Sequence, residues 1–205
     1  MSNLAYENLY DDRLREIING RIVNMAPLPF DPHAVTAGNI YLIFGEYLRR
    51  KRCRVYKEDK YIRLDKIENI TLPNNNKKDR LIPDVMVVCN QDINKSDGVY
   101  GAPDLVVEVL SPSTMKNDIG IKKDIYELIG VKEYWIVSPR ERTITVYILK
   151  DGKYALDNVY VSYTEEELIM IAEDEEESKK EIIKEFKTTI FDDLTISTDD
   201  VFDKL

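Results

Sequence analysis

The chain has 205 residues, 43% of them hydrophobic, which is enough for one sizeable core and favours a single domain over residues 1–205. No apolar run approaches the ~20 residues that a membrane-spanning helix needs, so no membrane association is expected. With 29 basic and 38 acidic residues the net charge is −9, which argues against an evenly charged DNA-binding surface.

The first long helix is predicted from His33 to Lys51. Hydrophobic residues recur there at helical spacing and should cover one face of a sheet; they are Ala37, Ile40, Tyr41, Phe44, Tyr47 and Leu48. His33 is the only histidine, and at a helix start a capping or surface role is commoner than a catalytic one. The seven basic residues between Arg49 and Lys60 suit a solvated helix end and a nucleic-acid contact about equally.

The two cysteines bear on the cellular compartment. Cys53 and Cys89 lack CxxC spacing, and Cys89 ends an apolar strand, so we interpret them as indicating a reducing cytoplasm rather than a disulfide framework. The N-terminal residues lack a basic region followed by an apolar core, which also favours a protein that is not exported. We therefore expect a cytoplasmic location.

Two carboxylates interrupt apolar strands. Glu108 lies in the run from Leu105 to Leu110, which is typical of a central strand covered on both sides. Asp84 opens a second apolar run, which ends at Cys89. An unpaired carboxylate costs several kcal/mol in such surroundings, so each must be protonated, paired with a cation or bound to a metal. If the two strands are neighbours, about 4.8 Å apart, both carboxylates can converge on one cation.

Each of these acids has a simpler interpretation. Asp84 can be a cap or turn residue at the strand entrance, and Glu108 can form a structural salt bridge with a buried Arg or Lys. Asp104 lies two strand repeats before Glu108 on the same face and competes for the metal. Its place after Gly-Ala-Pro equally suits a turn.

A second helix is predicted from Met115 to Ile129, where hydroxyl caps precede it and Gly130 ends it. Lys122 lies beside the apolar stripe of this helix, so its stem can follow the core while its ammonium points inward. A solvated lysine is the alternative, and the neighbouring Lys123 has that character.

The remaining elements are strands and an acidic segment. The run 131–139 predicts a third apolar strand, and residues 143 onward predict a hairpin at the sheet edge, with its turn at Asp151-Gly152. Ten acidic residues and three lysines give residues 163–186 a local charge of −7. We expect an acidic helical insertion at about 164–187, with a solvated charged face and a partial apolar stripe of Leu168, Ile171, Ala172, Ile182, Ile183 and Phe186.

This ordered set of motifs resembles the Uma2 family. The resemblance covers about residues 6 to 149 and rests on an opening helix and hairpin and on the motifs Leu81–Val85, Ala102–Thr114, Asp118, Lys122, Tyr126 and Gly130–Val137. Members of the family are regarded as relatives of the PD-(D/E)XK nucleases. The resemblance therefore implies an α/β (α+β) fold with a restriction-endonuclease-like core, in which helices flank a central mixed β-sheet.

The resemblance also implies the site. The PD-(D/E)XK motif has a lysine two residues after its second acidic residue, here Glu108, but this chain has Leu110 at that position. In the family the matching lysine lies on the following helix, at the position of Lys122. Glu16 resembles an acidic residue on the first helix of family members, and in that role it could bind the metal through a water molecule. The alternative is that Glu16 is a surface carboxylate on the first helix. Asp84, Glu108 and the backbone carbonyl of Val109 would offer oxygen ligands to Mg²⁺ or Mn²⁺.

The implied reaction is hydrolysis of nucleic-acid phosphodiester bonds. A divalent metal would acidify the attacking water, and Lys122 would orient that water or stabilise the transition state. We expect a nucleic-acid substrate, DNA in the first place, and a homodimer. The alternative is a catalytically inactive nuclease-like fold that binds nucleic acid or protein, which Leu110 and the acidic surface favour.

Overall fold

The structure is a computed structural model and describes residues 15–18, 20–24, 31–68, 70–72, 79–112, 114–174 and 181–205. Its strands are β1 Arg15–Ile18, β2 Arg21–Asn24, β3 Arg54–Lys57, β4 Ile62–Arg63, β5 Arg80–Leu81, β6 Val85–Val88, β7 Asn94–Lys95, β8 Gly98–Val99, β9 Leu105–Val109, β10 Glu133–Ser138, β11 Thr143–Lys150, β12 Lys153–Val161, β13 Glu185–Lys187 and β14 Thr195–Ser197. Its helices are α1 Asp31–Tyr47, α2 Met115–Asn117, α3 Lys123–Ile129, α4 Glu165–Glu173 and α5 Thr198–Val201, with a π-helical turn at Asp118–Lys122 and a 3-10 turn at Leu64–Lys66.

The strands form two larger sheets and a small hairpin. The main sheet has the order β12-β11-β10-β9-β6-β3, with β9 and β10 parallel and the other neighbours antiparallel. The second sheet has the order β2-β1-β5-β4-β8-β7, and β13 pairs with β14. The fold is therefore mixed α+β with a central mixed sheet, as predicted.

Strand β9 is the centre of the molecule. All five of its residues are buried, and its side chains alternate between two hydrophobic clusters on opposite faces of the main sheet. Helix α1 covers one face with Ala37, Ile40 and Phe44, and α3 covers the other with Ile125 and Tyr126. The prediction of a strand covered on both sides is confirmed.

Local signals set most of the element ends correctly. Gly130 ends α3 with a φ of 92°, a left-handed conformation that glycine adopts without a steric penalty. Asp151 and Gly152 also have positive φ and connect β11 to β12, the hairpin at the edge of the main sheet. Helix α1 runs from Asp31 to Tyr47, so it begins two residues before the predicted start and ends four residues before Lys51.

The expectation that the two cysteines form no disulfide is wrong. Cys53 and Cys89 form a disulfide across a sequence separation of 36 residues. Their pairing follows from the register of β3 and β6. Arg54 lies opposite Val88, so Cys53 and Cys89 are the next pair along the antiparallel ladder. Spacing along the chain could not show this pairing, because strand register alone brings the residues together. Among the described residues, no helix is long and apolar enough to cross a bilayer.

The acidic segment has two parts. Helix α4 buries none of its residues and is capped by Thr164, whose hydroxyl oxygen accepts a hydrogen bond from the backbone N–H of Glu167. The predicted continuation of the helical stripe to Phe186 is wrong, because Phe186 lies in β13 and its ring stacks on Tyr160, 4.2 Å between centroids. Residues 175–180, in which part of the charge run falls, lie outside the described residues.

Replacing residues 165–180 with a Gly/Ser linker of equal length is expected to leave the thermal midpoint nearly unchanged, because α4 buries no side chain. By contrast, Phe186→Ala should cost about 3–5 kcal/mol of unfolding free energy, since it removes a ring from the core. Thermal and urea unfolding of the two variants provide the comparison. A large loss of stability in the linker variant would show that α4 packs against the domain.

Candidate functional site

The two acidic strands are neighbours. Strands β6 and β9 pair antiparallel with Val85 opposite Val107, so the next pair along the ladder is Asp84 and Glu108. Both acids are buried, with 8% and 1% of their surface exposed. Their side chains nevertheless take different partners, and the two sets of partners define the site.

Asp84 is held between β9 and the start of α1. Its Oδ2 accepts a hydrogen bond of 2.6 Å from the backbone N–H of Val109 and lies 3.2 Å from His33 Nε2. Burial lowers the pKa of His33, but the hydrogen bond and the charge of Asp84 outweigh this effect and raise the pKa above its usual value. The lone histidine is thus neither a helix cap nor a surface residue. It pairs with a predicted site acid.

Glu108 points toward Lys122 and helix α3, on the face of the main sheet opposite to α1. Its carboxylate accepts hydrogen bonds from Lys122 Nζ at 3.1 and 3.2 Å and from the Tyr126 hydroxyl at 2.5 Å. Both partners are buried, so the contact is screened very little by solvent. The inward-pointing ammonium predicted for Lys122 is present, whereas Lys123 lies above the Tyr147 ring, 4.6 Å from its centroid.

Lys122 has two further carboxylate partners. Its Nζ lies 3.0 Å from Glu16 Oε1 and 3.3 Å from Asp118 Oδ1. Asp118 and Lys122 are the two ends of the π-helical turn, and such turns often occur at functional sites because they redirect side chains. Glu16 also accepts a hydrogen bond of 2.9 Å from the backbone N–H of Ile82, just before Asp84. We call Glu16, Glu108, Asp118 and Lys122 the lysine cluster.

The lysine cluster contains more acid than base. Burial raises the pKa of Glu108 well above that of an ordinary carboxyl group, although the charge of Lys122 opposes this effect. Burial lowers the pKa of Lys122, but the surrounding carboxylates outweigh it and raise that pKa well above its usual value. Lys122 therefore stays charged near neutral pH and faces the carboxyl groups of the cluster as a cation.

Asp118 provides a pH signature for the cluster. Burial raises its pKa from 3.8 to about 6, so the folded state binds a proton more tightly than the unfolded state does. This contribution to stability is complete below the unfolded pKa and is lost as pH rises through the folded pKa. Relative to wild type, Asp118→Asn should therefore gain about 2 kcal/mol of stability between pH 4 and pH 7.

Urea unfolding of both proteins at several pH values measures this gain. The exposed Asp124, on α3, offers a matched control. Asp124→Asn should follow the wild-type pH profile closely. Identical profiles for Asp118→Asn and wild type would contradict the assignment of a raised pKa to Asp118.

Several expectations about individual residues need correction. Glu16 lies in strand β1 and not on a helix, and it is buried with 4% of its surface exposed. The structure does not bring Asp104 to the site: Asp104 accepts hydrogen bonds from the backbone N–H of Cys89 and from Lys132 at the opposite end of β9. Val109 contributes its N–H to Asp84, and the metal-ligand role of its carbonyl stays a prediction.

Glu58 is a candidate site residue that the sequence does not reveal. It follows strand β3, and one of its carboxylate oxygens lies within 4.8 Å of ligand atoms of both His33 and Asp84. Nothing in the local sequence distinguishes Glu58 from the neighbouring Asp59. The signal lies in the tertiary structure, since β3 pairs with β6 and so carries the loop after it toward the same end of the sheet as Asp84.

Comparisons with known proteins identify the family and support the fold. A family model for Uma2, described as "Putative restriction endonuclease", matches residues 4–176. An uncharacterized protein, slr1290, from Synechocystis sp. is 31% identical over 132 residues, which is 63% of this chain; the match spans 64% of that relative. A crystal structure from Anabaena variabilis, described as a putative nuclease belonging to DUF820, aligns with a TM-score of 0.60 and 18% identity over 92% of this chain and 89% of that one. The chain therefore belongs to the Uma2 family.

Proposed function

We propose that the protein is a metal-dependent endonuclease that hydrolyses phosphodiester bonds of nucleic acid, with DNA as the expected substrate. The observation that carries the proposal is the lysine cluster beside Asp84, in which buried carboxylates outnumber the cations. The family match, described as "Putative restriction endonuclease", supports the same reaction class. The site residues proposed are Asp84, Glu108, Lys122 and Glu16.

The residues fit a divalent metal. Asp84, Glu16, Glu108 and Asp118 bring four carboxylates to one end of the sheet, against the ammonium of Lys122 and the imidazole of His33. Asp84, Glu108 and the carbonyl of Val109 are hard oxygen donors suited to Mg²⁺ or Mn²⁺. When bound, such an ion supplies a nucleophilic water at neutral pH and offsets the charge that develops on the phosphate.

The protein groups have separate tasks. Lys122 places a permanent positive charge next to Glu108, where it can stabilise a phosphate oxygen as charge develops. Glu16 and Asp118 hold the lysine in place through ion pairs of 3.0 and 3.3 Å. The Tyr126 hydroxyl donates to Glu108 and fixes the orientation of that carboxyl group. The lysine is thus positioned from the helix, which makes Leu110 compatible with catalysis.

A binding module without catalytic activity is the second candidate. Two observations favour it: Leu110 stands at the usual lysine position, and the exposed α4 begins with three consecutive glutamates. On this proposal the acidic segment repels nucleic acid or mimics it for a basic partner. The linker variant of residues 165–180 should then change nucleic-acid binding at low salt more than it changes stability.

Incubation with supercoiled plasmid, single-stranded DNA and RNA tests the proposal. Mn²⁺ or Mg²⁺ should support cleavage of the plasmid, EDTA should stop it, and Glu108→Gln should be inactive. Binding without cleavage in any of the metal conditions would favour the module instead. Sedimentation of the same samples checks the proposed homodimer, for which the outer strand β12 exposes Leu156 and Val159.

A further inference from the structure

The geometry points to a site for a first-row transition metal formed by His33, Glu58 and Asp84. One ligand atom of each residue lies within 4.8 Å of those of the other two, and His33 Nε2 is 3.2 Å from Asp84 Oδ2. Metal–ligand bonds of about 2.1 Å keep ligand atoms of one ion within about 4.2 Å of each other. Movements of no more than several tenths of an ångström among the three side chains would therefore complete the site.

The ligand atoms are buried but have unused capacity. The side chains of His33 and Asp84 are only 12% and 11% exposed. Within the described part of the chain, His33 Nδ1 and Glu58 Oε1 are buried polar atoms without a hydrogen-bond partner. Lys57 Nζ, at 3.9 Å from Glu58 Oε1, is beyond hydrogen-bond distance. Buried polar atoms are rarely left without partners, and a cation held by His33 Nε2, Asp84 and Glu58 Oε1 would satisfy the glutamate oxygen, although it would not reach Nδ1 on the other side of the imidazole ring.

The backbone at Glu58 supports the same assignment. Its φ is 49°, in the left-handed region that glycine or asparagine occupies more readily. The side chain of Glu58 is 30% exposed. The side chain is therefore free to make the small movement that coordination requires.

The donor set defines the class of metal. An imidazole nitrogen with two carboxylates suits Mn²⁺, Co²⁺, Ni²⁺ or Zn²⁺, whereas Mg²⁺ prefers oxygen ligands and retains its water. The inference revises the ligand set given under the proposed function, because His33 and Glu58 take the place of Glu108 and the Val109 carbonyl beside Asp84. It rests on the proposed function only for what the ion does in the reaction. Glu108 is then a partner of Lys122 and not a metal ligand.

The single histidine makes the site directly observable. Because His33 is the only imidazole in the chain, its NMR signals can be assigned without mutation. We expect Zn²⁺ to shift these signals at about one equivalent and Mn²⁺ to broaden them, while Mg²⁺ at the same concentration leaves them in place. Unchanged imidazole signals on addition of Zn²⁺ would overturn the inference.

Calorimetry with Mn²⁺ and Zn²⁺ on substrate-free variants identifies the other ligands. Glu58→Gln should weaken binding at least tenfold, and Asp59→Asn, the exposed neighbour, should leave it unchanged. Glu58→Gly should lose binding while the fold remains as stable or becomes more stable, because glycine suits the backbone conformation. This variant separates loss of a ligand from loss of the fold.

Glu108→Gln separates the two metal assignments. Retained Mn²⁺ binding in this variant, together with weakened binding in Glu58→Gln, supports the histidine site. The opposite pattern places the ion between Asp84 and Glu108 and overturns the inference, while the proposed nuclease activity stands. If Zn²⁺ and Mn²⁺ bind as expected but no metal supports cleavage, the proposed function fails and the metal site remains.

Discussion

Replacing Lys122 with methionine is expected to destabilise the protein by about 3–5 kcal/mol, because the change leaves three buried acids without their cation. Methionine keeps most of the side-chain volume, so the loss reports charge and hydrogen bonding more than packing. The same variant should lack nuclease activity. Urea unfolding and plasmid cleavage measure the two effects.

Lys123→Met is the matched control. Lys123 is the next residue on the helix, but its ammonium lies over the Tyr147 ring and not among the carboxylates. Its removal should cost only about 1 kcal/mol and should leave cleavage intact. Equal effects from the two substitutions would remove the special role of Lys122 in both stability and catalysis.

A double variant shows whether the charges act together. Glu108→Gln removes one carboxylate from the lysine cluster, so Lys122→Met should destabilise this background less than it destabilises wild type. The coupling is expected to exceed 1 kcal/mol, since the two side chains are in direct contact. Additive effects would mean that Glu108 and Lys122 contribute independently.

The sequence was most informative where a polar residue conflicted with its surroundings. Glu108 in an otherwise apolar run predicted a central buried strand, which is present, and its pairing with Lys122 is the alternative that was left open beside a metal-ligand role. Lys122 could be placed inward from its position beside the helical stripe, because i and i+4 relations are fixed by helix geometry. Local rules of this kind also predicted the turn at Asp151 and Gly152.

Residues joined by strand register could not be predicted in the same way. Glu16 reaches Lys122 because β1 belongs to the second sheet beside β5, a pairing that no local pattern encodes. The Cys53–Cys89 disulfide and the approach of Glu58 to Asp84 both depend on the β3–β6 pairing. The spacing of Phe186 fits the helical stripe, but this residue lies in strand β13, where its ring packs against Trp135 and Tyr160.

Asp84→Asn is expected to abolish both cleavage and transition-metal binding, because Asp84 is the ligand that both proposed metal arrangements share. Asparagine keeps an oxygen that can accept the hydrogen bond from the Val109 N–H, so the fold should survive. We expect cleavage to fall at least about 100-fold, the scale of losing one group that stabilises transition-state charge. Calorimetry with Mn²⁺ should show a parallel loss of binding.

Asp104→Asn provides the control for Asp84→Asn, since Asp104 lies at the other end of β9 and also accepts a hydrogen bond from a backbone N–H, that of Cys89. This variant should bind Mn²⁺ and cleave like wild type, with only a small loss of stability from its exposed contact with Lys132. Cleavage by Asp84→Asn at the wild-type rate would place the reaction elsewhere on the protein. Loss of cleavage with intact Mn²⁺ binding would instead make Asp84 a positioning residue for His33, and the metal would then have to lie on the carboxylates around Lys122.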